Sequence, residues 1–336
     1  MDHIAIDLGG IKSQVCHRKE TGEILEERLI ENGKLGAYLQ GQPRSRVVME
    51  TCSESWAIGD LAREAGHDLR IVPAHLIRAL GVGYRRLKND IRDARVLSEV
   101  STRVDLPSVH LRSVQAREIQ TKIRMRSSLV SSRTMLINNV RGWMRTQTIR
   151  IRTGAVTSFP ERLRAKVSEL PSAVVRQVEQ IQLLTEAIGK AHEDIEETAQ
   201  GIPGVDLLRS VPGVGTLTAL AFLSTVDQID RFRKAHRFQS YVGLTPGEKS
   251  SSGKRRTTSI TKAGSSSLRF HLVQAAWTLY VHRPHEPLVC WAQEVEKRRG
   301  RKIAMVALAR KLAGVLFAVW KTQRPYQPIR TVAQRS

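Results

Sequence analysis

The chain has 336 residues, 41% hydrophobic and 26% charged, and its 54 Lys and Arg against 32 Asp and Glu give a net charge of +22. This length suggests about two domains, and this charge indicates a polyanionic partner, for which nucleic acid is the natural choice. Three widely spaced cysteines (Cys16, Cys52 and Cys290) exclude a disulfide scaffold and a Cys-rich zinc site. Neither a run of about 18 apolar residues nor a signal peptide is visible, so we expect a cytoplasmic protein that does not engage a membrane.

Strand and helix patterns alternate through the first hundred residues. The predicted strands are 3–7, 13–18, 23–30, 47–49 and 69–72, and predicted helices lie at 32–40 and from Trp56 onward. Three strands in succession, followed by strand–helix units, predict a mixed sheet with helices packed on its faces.

From about residue 90 to 147 the pattern becomes helical and basic. Between Arg117 and Arg152 there are nine Lys or Arg residues and one acid, interleaved with apolar residues. The pattern is compatible with a solvated basic helix, but its charge imbalance favours a helix that follows a phosphate backbone. Arg124, Arg126 and Arg133 are the candidate contacts.

An acidic, amphipathic helix is predicted over residues 174–197, where seven mostly apolar positions recur at steps of four and three. A coiled-coil arm, a self-association seam and an ordinary long bundle helix all fit this spacing. We interpret it as the spacer before a helical last part with basic loops. There, residues 231–269 contain ten Lys or Arg and one acid.

Four carboxylates stand out by position. Asp7 and Glu50 end apolar strands, while Asp90 and Asp93 lie three residues apart at a predicted helix start and so share one face. Oxygen-rich clusters of this kind bind Mg²⁺, and such ions can activate the attacking oxygen and stabilise the leaving oxygen in phosphoryl transfer. The alternative is that these acids are simply solvated or favour a helix N-terminus.

Two glycine-rich segments are candidate phosphate sites. Gly213 and Gly215 form a turn before a helix starting at Thr216, which looks like half of a helix-hairpin-helix; a plain interhelical turn is the alternative. Further on, a Ser/Gly loop runs into Lys254, Arg255 and Arg256. By itself this loop is more typical of a mobile phosphate-binding loop than of a covalent site, although a hydroxyl there could attack phosphorus.

The motifs resemble, in order, the signature of the insertion-sequence 110/1111 transposases. The resemblance rests on segments 5–7, 48–51, 88–94, 212–215, 230–232, 241–246, 252–253, 260–264 and 268–269. It extends from about residue 3 to 320. It implies a fold that is α/β plus all-α, with a RuvC/RNase-H-like domain at 1–155, a helical coiled-coil linker at 156–203, a C-terminal transposase domain at 204–325 and a basic tail at 326–336.

The same resemblance implies a DNA recombinase in which Asp7, Glu50, Asp90 and Asp93 bind Mg²⁺. It implies that Ser252, adjacent to Ser250 and Ser251 in a triple serine, attacks DNA. Lys262 and Arg269 lie in matching motifs and are further candidate nucleic-acid contacts. The implied partners are DNA, a structured guide RNA encoded by the element, and further copies of the chain in a dimer or tetramer.

Three other classes of protein share parts of this pattern. The segment Ile6-Asp7-Leu8-Gly9-Gly10 also resembles the first phosphate loop of sugar-kinase-like ATPases, but the second phosphate loop and the adenosine loop of that class are missing from the sequence. The remaining two classes are a non-enzymatic nucleic-acid-binding protein and a simple RNase-H-like hydrolytic nuclease.

Overall fold

The computed structural model describes residues 1–79, 90–249 and 257–328. The chain divides into two compact units, Met1–Leu111 and Arg112–Ser336. This division differs from the domain boundary expected at 155, because the long helix after Arg112 packs its apolar face within the second unit.

The first unit contains five strands and four helices among the described residues. They are β1 (His3–Asp7), β2 (Lys12–Arg18), β3 (Ile24–Glu31), α1 (Leu35–Gln40), β4 (Arg46–Glu50), α2 (Ser55–Glu64), β5 (Asp68–Val72), α3 (Ala74–Ala79) and α4 (Asp90–Arg103). All five predicted strands are confirmed, each within one residue at either end.

The strands form one mixed sheet in the order β3-β2-β1-β4-β5. β1, β2 and β3 pair antiparallel, whereas β4 pairs parallel with both β1 and β5. Because alternate side chains of a strand point to opposite faces, β1 divides its residues between two cores. Ile4 and Ile6 pack with α1 and α2, and Ala5 packs with Leu97 of α4.

Helix α4 lies antiparallel to β1 on the second face of the sheet. Near its end, Ser101 Oγ is 2.7 Å from His3 Nδ1, at the start of β1. One turn closer to the helix start, Ser98 Oγ is 3.3 Å from Cys16 Sγ, and Cys16 pairs with Ala5 in the middle of β1. The first turn of α4 therefore points toward the end of β1, where Asp7 lies.

The described part of the second unit is almost wholly helical. Its elements are α5 (Val114–Thr146), α6 (Phe159–Arg164), α7 (Ser172–Gln200), α8 (Val205–Arg209), α9 (Thr216–Val226), α10 (Ala235–Val242), β6 (Pro246–Glu248), β7 (Thr257–Ile260), α11 (Ser266–His282), α12 (Pro287–Arg299) and α13 (Arg301–Thr322). The strands β6 and β7 pair as a small antiparallel hairpin.

Helices α5 and α7 form an antiparallel pair. Near the start of α5, Lys122 Nζ donates to Thr198 Oγ1 at 2.7 Å. Further along α5, Arg133 donates to Thr185 Oγ1 at 3.3 Å. Residue numbers therefore increase along α5 in the direction in which they decrease along α7. At 1.5 Å per residue, the 33-residue α5 is about 50 Å long. The predicted 4-3 seam of α7 is thus confirmed as a helix face, and its partner is α5 of the same chain.

One helix, α13, is long and apolar enough to cross a membrane by length and composition alone. Its buried residues, among them Leu308, Leu312 and Leu316, belong to the largest hydrophobic cluster of the second unit, together with α9 and α11. Burial on this scale is what a core helix of a helical domain requires.

Candidate functional site

Two of the predicted acidic residues lie at the same edge of the sheet. Asp7 ends β1 directly after Ile6, which pairs with Met49, and Glu50 ends β4 directly after Met49. Because β1 and β4 are parallel, their carboxyl ends meet at this edge. By strand alternation both acids lie on the face that carries Ala5 and α4, and both are half-buried.

The other two acids are in the first turn of α4. From Ser101 back to Asp93 the helix rises about 12 Å, and from His3 to Asp7 the strand rises about 13 Å. Since Ser101 contacts His3, Asp93 is level with Asp7 along the sheet, and Asp90 lies about one turn beyond it. Asp93 is half-buried and Asp90 is exposed.

The donor set suits a hard divalent cation, because four carboxylates offer only oxygen ligands. Among the residues that the structure describes, however, no group of three or more His, Cys, Asp or Glu side chains is gathered closely enough to hold a metal ion. The fold thus brings the four acids toward one end of one sheet face, but within the described residues it does not draw three of them close together.

The glycine turn before α9 packs between helices, as in the interhelical-turn alternative that the sequence left open. Gly213 adopts φ +84°, and a Cβ there would lie 2.7 Å from the Ala275 carbonyl oxygen and 2.8 Å from Leu279 Cβ, both on α11. Ten of the eleven residues of α9 are buried. The Thr216 hydroxyl, at the α9 N-terminus, donates to Glu196 at 2.9 Å. These contacts support the interhelical-turn alternative, and they place the Glu196 carboxylate beside the Thr216 hydroxyl at the start of the helix.

The predicted serine loop connects β6 to β7, and residues 250–256, which include Ser250, Ser251, Ser252, Lys254, Arg255 and Arg256, lie outside the described residues. The base of the hairpin is described and is held by backbone bonds. Thr261 N donates to the Thr245 carbonyl at 2.9 Å, and Lys262 N donates to the Gly243 carbonyl at 3.1 Å. The Lys262 side chain is exposed beside this base.

Arg269 holds the same region from α11. One guanidinium nitrogen, Nη1, donates to the carbonyl oxygens of Val242, Ala263 and Gly264 at 3.0–3.1 Å. Gly264 has φ +77°, and a Cβ there would lie 2.0 Å from the Tyr241 carbonyl oxygen. The arginine and the glycine of these motifs therefore have a structural role in joining the end of α10 to the start of α11.

The arginines predicted on α5 differ in environment. Arg124 is exposed, whereas Arg126 and Arg133 are half-buried, and the Nε atoms of both are buried without a hydrogen-bond partner. Burial, and secondarily the charge of Arg126, lower the pKa of His271 on α11 to about 4. His271 is therefore neutral near pH 7, and within the described residues the Nε–H donors of both arginines are unused.

A further basic feature lies at the C-terminal end of α5. A cleft of about 420 Å³ contains three arginines, Arg141, Arg145 and Arg150, and its other lining residues are Met144, Ile149, Ile151 and Thr153. The excess of basic residues between 117 and 152 indicated a basic surface in this region. That these three arginines share one cleft is evident only from the structure, because the chain reverses direction after α5.

These features together define a two-unit, nucleic-acid-directed protein with an acidic sheet edge in one unit and basic helical surfaces in the other. The comparisons with known proteins make the assignment specific. The DEDD transposase model of the IS110 group matches residues 4–148, and the model described as "Transposase IS116/IS110/IS902 family" matches residues 205–288. The chain belongs to this family of transposases and is a DNA transposase/recombinase.

Full-length relatives agree with this placement. The transposase for insertion sequence element IS1111A of Coxiella burnetii is 27% identical over 96% of this chain and 91% of its own length. A probable family 20 transposase of Pseudomonas aeruginosa is 25% identical, with coverages of 98% and 99%. The transposase for IS1328 of Yersinia enterocolitica is 24% identical, with coverages of 94% and 96%. The DEDD domain implies in general that the family depends on a divalent metal.

Proposed function

We propose that this protein cuts and rejoins DNA with Mg²⁺ held by Asp7, Glu50, Asp90 and Asp93, and with Ser252 as the nucleophile. The observation that carries the metal assignment is the meeting of Asp7 and Glu50 at the carboxyl ends of neighbouring parallel strands, on the face covered by α4. The strand order, with three antiparallel strands followed by two parallel ones, supports a RuvC/RNase-H-like domain.

The chemistry divides between the two units. When bound, Mg²⁺ would supply positive charge that stabilises the developing charge on phosphorus and the leaving oxygen. The Ser252 hydroxyl loses its proton to a base and forms a bond to phosphorus, while the bond from phosphorus to the departing deoxyribose oxygen breaks. The resulting phosphoserine ester conserves the bond energy, so a second strand end can be joined by attack on that ester without ATP.

Activation of the serine needs a group from outside its loop. A serine hydroxyl is a weak nucleophile near neutral pH, and the segment 243–256 contains no histidine. The proposal assigns this activation to the acidic residues of the first unit together with the Mg²⁺ that they would hold. The proposal therefore requires the serine loop to reach the acidic residues of this chain or of another copy in a dimer or tetramer.

The basic surfaces supply the grip on nucleic acid. Arg124, Arg126 and Arg133 on α5, with Lys254, Arg255 and Arg256 in the loop, are proposed to bind backbone phosphates. A guide RNA encoded by the element would supply sequence choice by base pairing. The net charge of +22 supports such a second polyanion, and sequencing RNA that copurifies with the protein tests it.

The nucleophile is tested by trapping the ester. Wild-type protein, Ser250→Ala, Ser251→Ala and Ser252→Ala are incubated with labelled DNA and Mg²⁺, then denatured and resolved by size. We expect an adduct that only Ser252→Ala eliminates. If a neighbouring serine is the essential one, the position is wrong and the chemistry stands. Cleavage that leaves no adduct in any of the proteins identifies a hydrolytic nuclease and refutes the proposal.

The metal site is tested in the same assay. Asp7→Asn should abolish adduct formation and cleavage, because it removes a charged oxygen ligand, while leaving DNA affinity close to wild type. Asp60→Asn, on α2, is the matched control and should behave as wild type. Activity that survives both Asp7→Asn and excess chelator contradicts the metal assignment.

A further inference from the structure

Three side chains of the second unit converge at the end of α10. Two of them, Arg231 and Tyr241, lie in motifs of the family resemblance to which the sequence assigned no role. The guanidinium carbon of Arg231 lies 4.8 Å from the ring centroid of Tyr241 and 4.6 Å from that of Phe232. The Nη2 atom of Arg112 donates a hydrogen bond to the Tyr241 hydroxyl at 3.4 Å. Arg231 is therefore held against two aromatic rings, and a second guanidinium approaches the same phenol.

The two arginines lack a balancing charge. The Nε atoms of Arg112 and Arg231 are both buried without a hydrogen-bond partner, and within the described residues neither side chain has a carboxylate within ion-pair distance. The nearby carboxylate of Asp227 accepts hydrogen bonds from the backbone N and the hydroxyl of Ser113 at 3.0 and 2.6 Å. Two half-buried guanidiniums without a counter-ion are costly unless an anion joins them.

The tyrosine reports the resulting potential. Burial by itself raises the pKa of Tyr241, but the charges of Arg112 and Arg231 and their hydrogen bonds outweigh it, so that the pKa is lower than that of an ordinary tyrosine. For Tyr38, Tyr280 and Tyr326 the pKa is raised. Among the described tyrosines, Tyr241 is the one at which nearby positive charge outweighs the other effects and lowers the pKa overall.

We propose that Arg112, Arg231 and Tyr241 form an anion site that binds one phosphate group of a nucleic-acid backbone. A guanidinium presents a planar fork of N–H donors that matches phosphate oxygens, and the phenol adds one O–H donor. All three residues are half-buried, so the site is partly open to solvent. Stacking on Phe232 and Tyr241 orients Arg231 in advance, which reduces the entropy lost on binding.

The location connects this anion site to the proposed reaction. The role of the site in catalysis rests on the proposed function, whereas its binding of an anion does not. Tyr241 precedes β6 by five residues, and its carbonyl lies against Gly264 at the base of the hairpin that carries the serine loop. A phosphate held by the two arginines would anchor the DNA strand close to this base. Arg112 and Arg231 are thus positioning residues in the proposal, and Ser252 remains the nucleophile.

Spectrophotometric titration tests the site without any catalytic readout. Tyrosine ionisation is followed at 295 nm from pH 7 to 11 with inorganic phosphate or with sodium chloride at the same ionic strength. The earliest-titrating tyrosine should disappear in Tyr241→Phe, which assigns it. Phosphate should raise its pKa by on the order of one unit, because a bound anion offsets the arginine charges.

Variants locate the response on the two arginines. Arg112→Gln and Arg231→Gln should each raise the pKa of Tyr241 in chloride and remove its dependence on phosphate. The exposed Arg233→Gln is the matched control and should retain both. If wild-type protein shows the same tyrosine titration in phosphate and chloride, the proposal fails. That experiment needs no variant, so a misfolded mutant cannot obscure the outcome.

Nucleic-acid binding separates this inference from the proposed function. Arg231→Gln should weaken binding of duplex DNA about five- to tenfold at 0.1 M salt and reduce the slope of log K against log salt by about 0.9. A tyrosine response together with an adduct that survives all three serine variants leaves the anion site standing and refutes the serine chemistry. A serine-dependent adduct with no tyrosine response does the reverse.

Discussion

Replacing Gly213 by alanine distinguishes a packing role of the glycine turn from a DNA-gripping role. Alanine at φ +84° incurs roughly 1–2 kcal/mol of backbone strain. Its Cβ would also lie 2.7 Å from a backbone oxygen and 2.8 Å from Leu279 Cβ, and overpacking of this kind typically costs about 1–3 kcal/mol. We therefore expect Gly213→Ala to lower the free energy of unfolding by about 2–5 kcal/mol. For a unit of this size, that corresponds to a fall in Tm on the order of 10 °C.

Gly215→Ala is the matched control. Gly215 has φ −98°, which any residue adopts, and a Cβ there would meet nothing within 4 Å. Its Tm should change by less than about a third of the Gly213 effect. Thermal melts followed by circular dichroism give both values, and DNA affinity is measured well below the lower Tm. If Gly213→Ala melts like wild type but loses DNA affinity, the packing interpretation is refuted and the turn is a phosphate grip.

Two further predictions concern the basic helices. The double substitution Arg126→Gln/Arg133→Gln should reduce the slope of log K against log salt for duplex binding by about 0.9 for each phosphate that is no longer neutralised. Arg103 is exposed and paired with Glu99, so the control Arg103→Gln should leave the slope unchanged. An unchanged slope in the double variant would show that Arg126 and Arg133 do not contact the DNA backbone. The second prediction concerns His271, whose pKa is about 4 in the folded chain and about 6.5 in the unfolded chain. Between these two values the unfolded chain binds more protons than the folded chain. The free energy of unfolding should therefore fall as the pH drops from 6.5 toward 4, by roughly 3 kcal/mol in full. Urea unfolding across this range should show a flatter profile for His271→Gln, and parallel profiles would contradict the assignment.

The sheet was predictable because its information is local. Strands β1 and β4 are short apolar runs, glycine or proline lies near the ends of most strands, and strand alternation places Asp7 and Glu50 by itself. Parallel pairing of β1 with β4 is a long-range choice that no local pattern encodes. The convergence of the two acids at one edge was therefore an expectation that needed the structure.

Side-chain roles in the second unit were far less accessible. Arg269 was a candidate nucleic-acid contact because it lies in a motif of the family resemblance, whereas its Nη1 atom donates to three carbonyl groups. For Gly213 the sequence left a phosphate site and an interhelical turn as alternatives, and only the structure shows how closely it approaches α11. A sequence shows that a residue is basic or small, but the identity of its neighbour depends on packing between helices distant in the chain. The cluster of Arg112, Arg231 and Tyr241 was missed for the same reason, since Arg112 is more than a hundred residues from the other two.

The antiparallel pairing of α5 and α7 constrains how this protein can change in length. Because the chain leaves along one helix and returns along the other, an insertion in α5 alone would shift every later seam contact by a fraction of a turn. A tolerated change must add or remove matching seven-residue blocks in both helices, which moves residues 147–171 outward or inward by about 10 Å per block. Length differences among relatives should thus occur as paired heptads. The connecting segment should keep its length and lie at a different distance from the rest of the second unit.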